Sequence, residues 1–265
     1  MAIIDDRPRR QSLEVRNRKE WVDEFGKAYR PGMHITFLGP SGRGKTKLAF
    51  QMIKAVLRYH PDISVCALHG KIKGRDDTIT RAAKDCKLHI TPKYPPNAYR
   101  RYQIRRGHKR GMILRPLDKP GEGPDEENEI LRGQFRKAIH KNYHASKKRP
   151  VILLVDEAHQ THEDLKLRRD CEGPLMRGRP VCGEWSLVQR GRYVSYHVYD
   201  EAAVVIIFYD PDKNNQQRYS EIGDVDASEI QYYTSQLDTR EVGESVISQA
   251  LVFVRSKRQI FILDF

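Results

Sequence analysis

Residues 39–46 read Gly-Pro-Ser-Gly-Arg-Gly-Lys-Thr, a full match to G-x-x-x-x-G-K-[S/T]. Each position has a physical reason. Gly39, Gly42 and Gly44 let the backbone curl, so that the successive N–H groups of Gly39, Pro40, Ser41, Gly42, Arg43, Gly44, Lys45 and Thr46, proline excepted, face phosphate oxygens. Lys45 has the reach to meet the β and γ phosphates of a nucleotide, and the Thr46 hydroxyl is suited to ligate Mg²⁺. A second constellation complements the first. Val151-Ile152-Leu153-Leu154-Val155 runs into Asp156-Glu157, so two carboxylates stand at the end of five aliphatic residues. Carboxylates so close to a core are costly unless they hold a cation or do chemistry. Asp156 is therefore read as a Mg²⁺ ligand, through water, and Glu157 as the base that orients and deprotonates the attacking water. ATP with Mg²⁺ is the expected substrate pair.

These groups need strands and a helix to hold them. His34 to Leu38 predicts a strand feeding the loop, and Lys47 to Tyr59 a helix whose positive end faces the anion. The unalternating run 151–155 predicts a strand buried on both faces of a parallel sheet. Further strands are expected at Ile63 to Leu68, Met112 to Leu117, Glu184 to Gln189 and Ala202 to Tyr209, and helices near Thr78 to Lys84, 125–145, Glu163 to Met176 and 226–237. Residues 211–221 read as polar loop, and Ala250 to Arg255 with Gln259 to Leu263 as a closing hairpin. Alternating strands and helices specify an α/β fold with a mostly parallel central sheet flanked by helices. The expected organisation is a basic arm and short helix over 1–30, then one P-loop domain over 31–265 carrying a basic insertion at about 87–111 built of loops and one short strand.

The chain of 265 residues carries a formal net charge of +13, which makes a polyanion the expected partner. The charge is clustered: no acid lies between Asp85 and Asp118, where Arg100, Arg101, Arg105, Arg106, Lys109 and Arg110 alternate with Tyr99 and Tyr102. Cations for phosphates with rings for bases or sugars suggest DNA binding; a solvated basic loop without a partner is the competing reading. Mean hydropathy is −0.71, and the sequence shows neither a membrane-length apolar run nor a signal-like N-terminus, so a cytoplasmic protein is expected, in the host cytoplasm if it is viral. Cys66, Cys86, Cys171 and Cys182 have no C-x-x-C spacing and indicate neither a zinc site nor a disulfide framework.

Asp156-Glu157-Ala158-His159 spells a helicase box, but the second helicase domain and its Q-x-x-G-R-x-G-R motif are missing. His159-x-x-His162 without H-E-x-x-H reads as polar residues near the nucleotide. The segment after Asp156 is more informative: a helix ending in Arg177-Gly178-Arg179, a glycine turn, then a strand ending in Gln189. That arrangement resembles the FtsK/HerA family of DNA-pumping P-loop ATPases, as do the turn Gly70 to Gly74 and the tail Ser248 to Phe253, which lack the family's aspartate and glycines respectively. The resemblance implies a RecA-like P-loop NTPase fold, a polar sensor at Gln189 beside the γ-phosphate, and a homo-oligomeric ring (hexamer or pentamer) acting on double-stranded DNA, of phage or plasmid origin. It also implies an arginine supplied to each site by the neighbouring subunit, for which Arg177, Arg179 and Arg218 are the candidates. Local pairing of all three is the alternative. Two functions remain open: a DNA translocase or packaging motor, or a P-loop assembly or secretion ATPase (zonula-occludens-toxin-like) or nucleotide switch acting on a protein or membrane.

Overall fold

A computed structural model describes residues 12–70, 77–116, 123–177, 181–222, 225–242 and 245–265. In chain order the strands are β1 (Val15–Arg16), β2 (Ile35–Leu38), β3 (Ser64–Leu68), β4 (Leu88–Thr91), β5 (Gly111–Leu114), β6 (Val151–Val155), β7 (Cys182–Val188), β8 (Val204–Phe208), β9 (Thr239–Val242), β10 (Ser245–Ser248), β11 (Ala250–Val254) and β12 (Gln259–Leu263). The helices are α1 (Arg18–Ala28), α2 (Lys45–Tyr59), α3 (Asp77–Asp85), α4 (Ala98–Arg105), α5 (Pro124–Ser146), α6 (Arg168–Arg177), α7 (His197–Asp200), α8 (Lys213–Gln216) and α9 (Ala227–Ser235).

Among the described residues ten strands form one sheet in the order β1-β12-β11-β8-β2-β7-β6-β3-β5-β4. From β8 to β4 every pairing is parallel, and β11 adds antiparallel to β8 and to β12. The expected α/β class with a mostly parallel sheet is what forms. Strands β2, β6 and β8 are buried along their whole length because helices cover both faces, which is why β6 and β8 read as unalternating apolar runs. One core lies between the sheet and α1, α2 and α3; the other lies beneath α5, α6 and α9.

Several boundaries differ from expectation. The segment taken as a leading arm is partly structural: β1 pairs with β12, and α1 buries Trp21, Phe25 and Tyr29 in the first core. Phe25 and Tyr29 meet the Trp185 ring of β7 edge-on, at 6.0 and 5.9 Å between centroids. Residues 1–11, with Arg7, Arg9 and Arg10, lie outside the described residues, as does most of the Gly70 to Gly74 turn. The basic insertion contains a helix as well as a strand, because Asn97 caps α4 by accepting from the Arg100 amide. The helix expected over Glu163 to Met176 is divided: a π-type turn at Gln160–Asp164 precedes α6. The loop expected at 211–221 holds α8 and a 3₁₀ turn, and the hairpin β9–β10 was not foreseen.

Candidate functional site

The strand order brings the chemistry together. β7 lies between β2 and β6, so the loops leaving all three open at one edge of the sheet. The loop after β2 carries residues 39–46, the turn after β6 carries Asp156 and Glu157, and β7 delivers Gln189 between them. Gly39 adopts φ 145° against β8, where an added Cβ would stand 2.8 Å from Phe208 Cβ. Gly44, at φ 98°, turns the chain into α2 and leaves its first amides pointing out of the helix end. Lys45 is buried, its ammonium donating to the carbonyls of Gly39 and, at 2.7 Å, Pro40. Thr46 is half-buried at the helix start. Ser41, Gly42, Gly44, Lys45, Thr46 and Asp156 line a cleft of about 590 Å³.

Across the cleft, the buried Asp156 accepts through Oδ2 from His69 Nδ1 at 2.6 Å, His69 being the residue that follows β3. Glu157 sits at φ 54°, a left-handed conformation unusual for a non-glycine residue and of the kind that concentrates at functional sites. Its Oε1 accepts from Gln189 Nε2 at 3.0 Å. Asn215 on α8 holds the next turn: its Oδ1 accepts from the Gly191 amide at 3.2 Å and its Nδ2 donates to Asp210 Oδ2 at 2.9 Å. Burial raises the Asp210 carboxyl above the ordinary range, only partly offset by hydrogen bonds from Asp212 and Asn215. Burial lowers His159, and the nearby Arg190 and Lys45 add to that against the pull of Glu157. The donors offered to a divalent cation, the Thr46 hydroxyl and the Asp156 carboxylate, are hard oxygens, a set that fits Mg²⁺.

No family model and no curated protein matches the chain. Solved structures do share its fold. B204, the DNA-packaging ATPase from Sulfolobus Turreted Icosahedral Virus, superposes with a TM-score of 0.60 at 18% identity, over 88% of this chain and 98% of that one. The genome packaging NTPase B204 from Sulfolobus turreted icosahedral virus 2, in complex with AMPPCP, gives 0.58 at 17%, over 88% and 97%. Its complex with ATP-gammaS gives 0.55 at 18%, over 87% and 96%. At such identities the likeness is one of fold: this chain has the P-loop NTPase architecture of those packaging ATPases.

The residues singled out from sequence divide into three groups. Ser41, Gly42, Gly44, Lys45, Thr46, Asp156 and Gln189 line the cleft, with Glu157 bonded to Gln189, while Pro40 and Arg43 line an adjoining pocket. Arg100, Arg101, Arg105 and Arg106 belong to α4 and its end, away from it, with Tyr99 and Tyr102 exposed and Arg106 stacked over the Tyr102 ring at 5.6 Å. Lys109 is half-buried in the turn that follows. Two of the arginines have local partners. Arg110 turns its guanidinium onto the carbonyls of Leu57 and Pro61, where α2 ends with unpaired acceptors, so it serves the fold. Arg218 donates to the Val194 carbonyl at 2.9 Å and lies over the Tyr199 ring. Arg177 is exposed at the end of α6, while Arg179 lies outside the described residues. His162, read as polar and near the nucleotide, is instead buried under the sheet. His69 and Asn215 were missed; only the adjacency of His69 to the end of a strand neighbouring β6 signalled it.

Proposed function

We propose that this chain is an ATP-hydrolysing motor that moves DNA, in the manner of a genome-packaging ATPase. The observation that supports the reading is the Gln189–Glu157 hydrogen bond, which joins the residue after β7 to the carboxylate after β6. In this reading the loop amides and Lys45 bind the β and γ phosphates, and Thr46 and Asp156 hold Mg²⁺, which would draw negative charge from the phosphates. Glu157 accepts the proton of the attacking water, Gln189 fixes the direction of that carboxylate, and His69 fixes Asp156.

The basic face of α4 supplies the DNA contact, its arginines meeting phosphates and Tyr99 and Tyr102 packing on the duplex. A ring of identical subunits, hexamer or pentamer, follows from the resemblance to DNA-pumping ATPases, with Arg177 as the arginine that reaches the adjoining site. Among the described residues no helix is long and apolar enough to cross a membrane. The domain is read as continuous from β1 to β12. The test is ATP turnover by purified protein with and without double-stranded DNA, with Lys45→Ala as the inactive control. Stimulation by DNA is expected; turnover indifferent to DNA would favour the assembly-ATPase reading, and no turnover at all would refute both.

A further inference from the structure

On the face of the sheet away from α2, three elements converge on a small polar cluster inside the second core. His162 comes from the π-type turn after β6, Cys171 from α6 and Glu184 from β7. All three are at least 98% buried, and their ligand atoms lie within 4.8 Å of one another. Two polar atoms of these residues have no hydrogen-bond partner: His162 Nε2 and Glu184 Oε2. An unpaired polar atom in such a place costs about 1–3 kcal/mol, so two of them in one buried cluster demand an explanation.

We infer that His162, Cys171 and Glu184 form a binding site for a zinc-like divalent metal ion, separate from the nucleotide cleft. The donor set is the argument for that chemistry. Imidazole nitrogen, thiolate sulfur and carboxylate oxygen are together characteristic of zinc, whereas Mg²⁺ takes oxygen alone. Charge points the same way: one thiolate, one carboxylate and a neutral imidazole balance a dication, leaving a buried site with no net charge. Tetrahedral zinc holds its ligand atoms about 3.3–3.8 Å apart, so side-chain movements of about 1 Å close the site. Ligation through Nε2 places the ring proton on Nδ1, which now accepts from the Ser195 amide at 3.3 Å. The contact from that amide would then have to give way as the ion binds. Ser186 Oγ donates to the other Glu184 oxygen at 3.0 Å and orients the carboxylate.

The position gives the ion a structural role. The turn bearing His162 begins three residues after Glu157, and the strand bearing Glu184 ends at the residue before Gln189. A metal bridging the two would clamp together the segments that present the Gln189–Glu157 pair.

The experiment is metal analysis of protein purified without a polyhistidine tag from zinc-supplemented cells. About one zinc per chain is expected, with Cys171→Ser and Glu184→Gln each lowering the content at least ~10-fold, while Cys86→Ser leaves it unchanged. Should those variants not fold, cobalt added to the metal-stripped wild-type chain decides: a thiolate-to-cobalt absorption band with tetrahedral d–d bands is expected. A wild-type chain without bound metal, zinc content unaffected by Cys171→Ser, or cobalt spectra without the thiolate band would each overturn the assignment. The polar atoms would then be bridged by water alone.

Discussion

Gln189→Leu removes the 3.0 Å hydrogen bond to Glu157 Oε1 while changing side-chain volume little. A hydrogen bond to a charged group contributes about 1.5–3 kcal/mol, which, if it acts wholly on the barrier, slows turnover roughly 10- to 160-fold. Nucleotide affinity should change little, because Lys45 and the loop amides are untouched. The left-handed backbone of Glu157 fixes only its main chain, and the bond from Gln189 is one of the contacts that direct its side chain. The decisive assay is a double-mutant cycle on phosphate release at saturating MgATP, with nucleotide affinity measured separately. Glu157→Gln alone should slow turnover at least ~10²-fold. In that background Gln189→Leu should add almost nothing, since the group it orients is no longer a base, and the coupling should recover about 1.5–3 kcal/mol. Effects that add to within about 0.5 kcal/mol would refute the argument: the hydrogen bond would then play no part in the reaction.

Neutralising Arg100, Arg101, Arg105 and Arg106 together should reduce the log–log salt slope of duplex DNA binding by up to about 3.6, at about 0.9 per phosphate contact, with basal ATPase retained. Arg110→Ala should leave that slope unchanged and instead lower Tm, as it uncovers the last carbonyls of α2. Arg218→Ala should also act on stability, by about 1–3 kcal/mol for the lost bond to the Val194 carbonyl, read as a shifted denaturant midpoint. For Arg177, mixing inactive Arg177→Ala subunits with inactive Lys45→Ala subunits should restore partial ATPase through mixed sites. No recovery at any ratio counts against a shared active site built with this arginine.

Local chemistry was legible in the chain wherever neighbours in sequence are also partners. The phosphate loop needs only a strand, three glycines and a helix start, and each of these announces itself: Ile35, Phe37 and Leu38 of β2, the glycines, and the amphipathic run of α2. The buried strand ending in Asp156-Glu157 is equally local, and alternation of strands with helices was enough for the α/β class. Edges were less legible. β9 and β10 carry Thr, Arg, Glu and Ser in a short ribbon outside the main sheet, so no core face imposed a pattern on them.

Long-range placement decided the remainder. That Gln189 bonds Glu157 depends on β7 inserting between β2 and β6, and that Asp156 meets His69 depends on β3 pairing with β6; strand order is set by packing of whole faces. Arg110 and Arg218 carry the same charge as the arginines of α4, yet orphan carbonyls at α2's end and after the β7 turn draw both inward. His162, Cys171 and Glu184 stand nine and thirteen residues apart on a turn, a helix and a strand, a spacing that matches no ligand motif. Side chains of a motif share a short stretch of backbone, and its periodicity fixes their directions. Groups on separate elements meet only through the register in which those elements bury their apolar faces, and that register is a property of the folded whole.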